Sequence, residues 1–157
     1  MIFEEKDYKY MFSALQEAEN ALEFNEVPVG AIIVNKGRII GKGYNQTESL
    51  KDPTAHAEMI AITAAANNLG NWRLNECDIY VTLEPCVMCT GALLNARIRT
   101  IYFAEFDPKY GACGSLYNLA EEGKVNHKIK LYSGIYSQES RELLRKFFFK
   151  IRNENYN

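Results

Sequence analysis

Asp78-Ile79-Tyr80-Val81-Thr82-Leu83 runs without a break into Glu84-Pro85-Cys86-Val87-Met88-Cys89. The first six residues are rich in β-branched and aromatic side chains and alternate in polarity, which predicts a strand over 78–83. Pro85 suits the first turn of a helix, so a helix is expected from Cys86 to about Ala96. A strand feeding a helix in this way is the repeating step of an α/β sheet.

The same step appears on either side. Upstream, Ala31–Asn35 and Arg38–Tyr44 read as two short strands, with Lys36-Gly37 as a tight turn between them. A two-residue turn cannot make a parallel crossover, so this pair is expected to be antiparallel. Asn45 to Pro53 is polar and reads as a loop. Thr54 is the expected N-cap of a helix from about His56 to Asn68, and Gly70 stops it. Downstream, Thr100–Ala104 is another strand and Glu105 to Ser115 a long loop. Leu116–Glu121 is a short helix, Lys130–Ser133 a weak strand and Gln138–Arg152 a final helix. Before all of these, apolar residues at Tyr8, Met11, Phe12, Leu15, Ala18 and Leu22 mark an amphipathic helix over 5–24. The expectation is a three-layer α/β/α fold: a mixed central sheet of about five strands with helices on both faces.

Composition bounds the class. The chain has 157 residues, 47% hydrophobic and 24% charged, as expected for a single globular domain over 1–157. The longest apolar run, Val27 to Val34, is interrupted by Pro28 and Gly30 and is far short of a membrane span. The first residues are acidic and lack the apolar core of a signal peptide. A cytoplasmic location is expected, where thiols stay reduced and a Cys-x-x-Cys pair reads as a metal or redox site. The net charge is −2, but it is unevenly spread. Residues 1–26 carry seven acids against two lysines, whereas 139–152 carry five basic residues against two acids.

The chemistry concentrates at His56-Ala57-Glu58 and Cys86-Val87-Met88-Cys89. One imidazole and two thiolates are good zinc ligands. Residues 86 and 89 are three apart, so both thiols project on one helix face. A helix N-terminus favours thiolate over thiol, the form that binds metal. A structural zinc takes four protein ligands, whereas a catalytic one keeps a position open. No fourth ligand is evident, since Cys77, Cys113 and His127 lie outside the cluster. Glu58 can then accept a proton from water activated at the metal. The rival readings are a redox pair, which lacks a thioredoxin-like context, and a zinc-stabilised binding module that does no chemistry. Cys77 reads as a core thiol, Cys113 as an ordinary loop thiol and Trp72 as packing.

The His-x-Glu and Pro-Cys-x-x-Cys pair resembles the signature of zinc-dependent nucleobase deaminases. Around it, the chain resembles the bacterial tRNA-specific adenosine deaminases from about Tyr8 to Arg152. The matching stretches include Glu26–Ala31, Asn45, Asp52–Glu58, Trp72–Leu74 and Tyr80–Cys89. They continue through Asp107–Gly111, Gly114–Leu116, Asn126-His127 and Phe148-Phe149. The resemblance implies adenosine-to-inosine conversion at wobble position 34 of a tRNA anticodon, with one zinc ion per subunit, a homodimer and a cytidine-deaminase-like fold. It implies that His56, Cys86 and Cys89 hold zinc and that Glu58 shuttles protons to a ring nitrogen and the departing amine. Asn45 would hydrogen-bond the nucleoside, Asp107 lies where the family's loop meets the target ribose, and Lys109 is expected to bind substrate beside it. Phe148, Phe149, Lys150 and Arg152 lie where its last helix meets the anticodon loop.

The residue chemistry is compatible. Val29 and Ala31 are small enough to line a flat pocket, and backbone groups of Ala55, Glu84, Pro85 and Cys86 could orient a base. Unpaired RNA bases are read by stacking on aromatic side chains, and Phe147-Phe148-Phe149 sits among cations. Adjacent helix positions diverge, so at least one of these rings is expected in the core. The apolar helix Cys86–Ala96, with Leu93 and Leu94, is the candidate dimer face. The alternative function is deamination of a free base or nucleoside such as guanine, cytosine or cytidine. Such an enzyme needs neither the basic aromatic helix nor Asp107-Pro108-Lys109.

Overall fold

A computed structural model describes residues 3–125 and 127–155. Asn126, quoted above with His127, lies outside the described residues.

Five strands form one sheet in the order β2-β1-β3-β4-β5. Strand β1 (Gly30–Asn35) pairs antiparallel with β2 (Arg38–Tyr44) and with β3 (Cys77–Leu83). Strands β3, β4 (Thr100–Glu105) and β5 (Lys130–Ser133) run parallel. The β1–β2 connection has positive φ at both Lys36 and Gly37, the backbone of a type I′ turn.

Side chains alternate between two layers of helices. Ala31, Ile33, Ile79, Val81, Ile101 and Phe103 point to one face, where α3 (Ala57–Leu69) and α4 (Val87–Asn95) cover them. Ile32, Val34, Tyr80 and Ala104 point to the other, under α1 (Glu5–Glu23). Helix α5 (Ser137–Asn155) lies beside α1, and Leu143 packs with Leu15 and Ala18. The buried Ser140 hydroxyl donates to the Thr82 carbonyl at 2.5 Å and ties α5 to β3. This is the expected three-layer arrangement. Among the described residues, no helix is long and apolar enough to cross a membrane.

Several local expectations are corrected. Helix α1 buries Met11, Ala14, Leu15, Ala18 and Ala21, while Tyr8 and Phe12 are exposed. The cause is close approach: a Cβ on Gly30 would collide with the Ala14 carbonyl and the Ala18 amide. Small residues must therefore face the sheet. Gly41 and Gly43 play the same part under α3, where a side chain would meet the backbone of Ala61 and Ala57.

Thr54 does not cap α3; His56 holds the N-cap position. The Thr54 hydroxyl and amide both donate to the Asp52 carboxylate, at 2.7 and 2.8 Å. Pro85 precedes α4, and Cys86 is its N-cap. The stretch 45–53 contains a short helix, α2 (Thr47–Leu50). The buried Glu26 carboxylate accepts from the amides of Glu48 and Ser49, at 3.2 and 2.9 Å, and satisfies the start of that turn.

Leu116–Glu121 is not a helix. Its amides are spent on the preceding loop: Leu116 donates to Gly111 and Leu119 to Ala112. Gly114 also donates to the Tyr117 carbonyl, and Cys113 bridges Asn118.

Candidate active site

One end of the sheet collects the chemistry. Gly30 opposes Tyr44 there, and Leu83 pairs with Glu105. The segments leaving this end carry Val29, Asn45, the N-termini of α3 and α4, and the loop from Glu105 to Ser115. It is also the carboxyl end of the parallel strands, where α/β folds bind ligands.

His56 and Cys86 are the N-caps of α3 and α4. The Nδ1 atom of His56 is 3.6 Å from Cys86 Sγ and 3.5 Å from Cys89 Sγ. The three donor atoms all lie within 4.8 Å of one another. A tetrahedral zinc with Zn–S bonds of about 2.3 Å and Zn–N bonds of about 2.0–2.1 Å spaces such ligands about 3.5–3.6 Å apart. The geometry and the donor chemistry both fit zinc, with Nδ1 as the imidazole ligand atom.

Protonation follows the packing. The Cys86 thiol is lowered to about 4, chiefly because the Cys89 thiol bonds to it and then because His56 does. Cys89 is pushed up by sharing that bond and by burial. His56 is raised, first by its bond to Cys86.

Glu58, in the first turn of α3, is buried, and its carboxyl is raised to about 7. Removal from water is the main cause, and the charge of Cys86 adds to it. A carboxyl poised near neutrality can both take and give a proton.

The sequence profile of the "Cytidine and deoxycytidylate deaminase zinc-binding region" matches residues 4–105. The tRNA-specific adenosine deaminase of Aquifex aeolicus is 48% identical over 148 residues, covering 94% of this chain and 97% of that protein. The chain belongs to the tRNA-specific adenosine deaminases.

A solved structure from a study of A-to-I editing by tRNA:A34 deaminases superposes on this deaminase with a TM-score of 0.84. It is 45% identical and covers 87% of this chain and 99% of that one. The guanine deaminase of Bacillus subtilis is more distant. Its TM-score is 0.60 at 37% identity, over 62% of this chain and 63% of its own.

The other residues expected at the site of this deaminase separate into groups. Asn45 is buried at the same sheet end; its amide faces the Val27 carbonyl and its side-chain oxygen the Thr47 amide, both at 3.4 Å. Val29 is partly buried beside the core, but Ala31 is fully buried within it and offers no surface to a ligand.

Backbone groups expected to orient a base already have partners. The Ala55 carbonyl accepts from Gln46 and its amide donates to Asp52. The Glu84 amide donates to Glu105 at 2.8 Å, and the Pro85 carbonyl accepts from Ala112 at 2.8 Å. Asp107 is half-buried, and its carboxylate accepts from the amides of Lys109 and Tyr110, at 3.1 and 3.3 Å.

On α5, Phe148 and Phe149 are 48% and 61% exposed, while Phe147 is buried. Lys150 reaches Asn25 at 2.9 Å, and Arg152 donates to the Phe148 carbonyl.

Two further sequence expectations change. Leu93 is fully buried in the core, and Leu94, nearly buried, only edges the outer groove. The outer side of α4 instead presents Val87, Met88, Gly91 and Ala92 beside Leu119 and Val125, around an open groove of about 530 Å³. Trp72 is exposed rather than packed, and the Arg73 guanidinium stacks 4.2 Å above it. His127 acquires a partner: its Nε2–H donates to the Ile98 carbonyl at 2.7 Å.

Two buried carboxylates gave no such signal in the sequence, Glu84 beside the site and Glu26 under α2. Each is an acid whose partners are amides distant in the chain.

Proposed function

We propose that this chain is a single deaminase domain that hydrolyses adenosine to inosine at position 34 of a tRNA anticodon, releasing ammonia. The observation that carries this reading is the convergence of His56, Cys86 and Cys89, at zinc-ligand spacing, beside the buried Glu58. One zinc ion per subunit would be held by those three residues. Zinc held there would supply Lewis acidity, which makes water acidic near neutral pH.

Glu58 is the proton carrier. Its carboxylate would take one proton from water and give it to purine N1 as the water oxygen bonds C6, then take the second proton from that oxygen and give it to the C6 amine, which leaves as ammonia. Burial raises the carboxyl and so favours the protonated form needed to donate to the base. Asn45, already oriented by Val27 and Thr47, contacts the nucleoside, and Val29 lines the mouth of the pocket. Ala31 supports that wall from within the core. The backbone of Ala55, Glu84 and Pro85 shapes the pocket from behind. Asp107 and Lys109 lie on the loop that would flank the target nucleotide.

The RNA partner is proposed to be the anticodon stem-loop, read by stacking on Phe148 and Phe149 and by contact with Lys150 and Arg152. Such stacking on exposed rings suits splayed, single-stranded bases. A second copy of the chain would cover the outer side of α4, giving a homodimer. The working location is proposed to be the cytoplasm.

The deciding experiment offers the zinc-loaded protein an anticodon stem-loop with adenosine at position 34, free guanine, free cytosine and cytidine. Inosine in the stem-loop with one ammonia per conversion is expected. Turnover of a free base or nucleoside with none of the RNA overturns the reading.

A further inference from the structure

The Glu84 carboxylate is buried and has no role in the proton transfers above. It accepts four hydrogen bonds from three residues of one loop. Oε1 takes the Asp107 amide at 3.0 Å and the Ser115 hydroxyl. Oε2 takes the amides of Cys113 and Ser115, each at 3.0 Å. A carboxylate has about four lone-pair sites, so Glu84 is saturated.

The loop closes around it. A Cβ on Gly111 would strike the Glu84 carboxylate, so the backbone passes directly over that group. Gly111 also bridges Cys86, and Ala112 donates to Pro85. The loop is thus fastened at residues 84, 85 and 86, immediately before and at the first thiol donor.

Phe106, Tyr110 and Tyr117, in and beside the loop, are exposed rings, and Lys109 is exposed among them. Exposed rings with a cation beside a reaction centre suit unpaired nucleotides.

We propose that Glu84 is a positioning residue that fixes the Asp107–Ser115 loop over the reaction centre, and so sets affinity for the RNA rather than the rate of the chemical step. This rests on the RNA reading given above. The carboxylate substitutes for water as the acceptor of the loop's amides, so the loop is formed before the substrate arrives. Without it, the order must be supplied at binding, and the loss falls on KM.

The test compares Glu84→Gln and Ser115→Ala with the wild-type protein on the A34 stem-loop. It also measures zinc content and amide hydrogen exchange. In Glu84→Gln, an amide nitrogen replaces one acceptor and confronts N–H donors. Its KM is expected to rise at least tenfold while kcat falls by less than threefold, with zinc still at one per chain. The amides of Asp107, Cys113 and Ser115 should exchange faster, and those of α3 should not.

Ser115→Ala removes one donor from an exposed position and keeps the carboxylate. Its KM should rise two- to fivefold, which preserves the test if Glu84→Gln does not fold. An unchanged KM in Ser115→Ala overturns the proposal, as does an unchanged KM in Glu84→Gln. So does loss of zinc, or a fall in kcat at constant KM. If the wild-type protein itself leaves the stem-loop unedited, the RNA reading fails and takes this proposal with it.

Discussion

The Nδ1 atom of His56 lies 3.5 Å from the Sγ atom of Cys89, 33 positions away in the chain. The two residues belong to the starts of different helices, and the sheet end beneath them sets the distance. It is the spacing that one tetrahedral zinc imposes on a nitrogen and a sulfur ligand.

Metal removal should expose one thiol. Burial raises Cys77, and raises Cys113 to about 12, whereas Cys86 is lowered to about 4 and is partly exposed. Thiolates, not thiols, are the nucleophiles. At pH 6.5 and without metal, iodoacetamide should alkylate Cys86 first, and zinc should protect it. Peptide mapping reads this directly; equal labelling of Cys113 would contradict it.

The three adjacent phenylalanines of α5 should behave differently. Phe147 is buried, so Phe147→Ala should lower folding stability by about 3–5 kcal/mol. Phe149 is exposed, so Phe149→Ala should leave stability within about 0.5 kcal/mol. Base–aromatic stacking is worth about 1–3 kcal/mol, which corresponds to a KM increase for the stem-loop of about 5- to 150-fold. Denaturant unfolding and steady-state kinetics separate the two effects.

Gly91 reports on assembly. A Cβ built there meets nothing within 4 Å, so the isolated fold has room for a side chain. Gly91→Lys should therefore fold normally and stay monomeric, because the lysine stands on the face proposed to meet a second copy. Sedimentation checks this; a Gly91→Lys dimer of wild-type affinity contradicts the proposed face.

Much of this was legible along the chain because its causes are local. Lys36-Gly37 specifies the hairpin turn, and Gly70 ends α3 in a left-handed conformation. The Cys86–Cys89 spacing places two thiols together whatever the rest of the chain does. The misreadings share another origin, in partners remote in sequence. Thr54 looked like a cap until Asp52 took its hydroxyl. The residues 47–50 looked like loop because Glu26, which organises them, lies on the other side of a hairpin. Leu93 and Leu94 read as part of a dimer face because α4 is apolar on its outer side as well as its inner one. The paired apolar and aromatic positions of α1 could not reveal that Gly30 draws Ala14 and Ala18 against the sheet.

Glu58 is proposed to move protons for deamination of A34 at a zinc held by His56, Cys86 and Cys89. The most direct measurement is inosine formation in an A34 anticodon stem-loop by the wild-type protein and by Glu58→Gln, with zinc quantified in both. The wild-type protein should form one inosine per ammonia. Glu58→Gln should be about 10²- to 10⁴-fold slower at unchanged zinc content. A Glu58→Gln protein that edits at the wild-type rate with zinc in place would contradict that role.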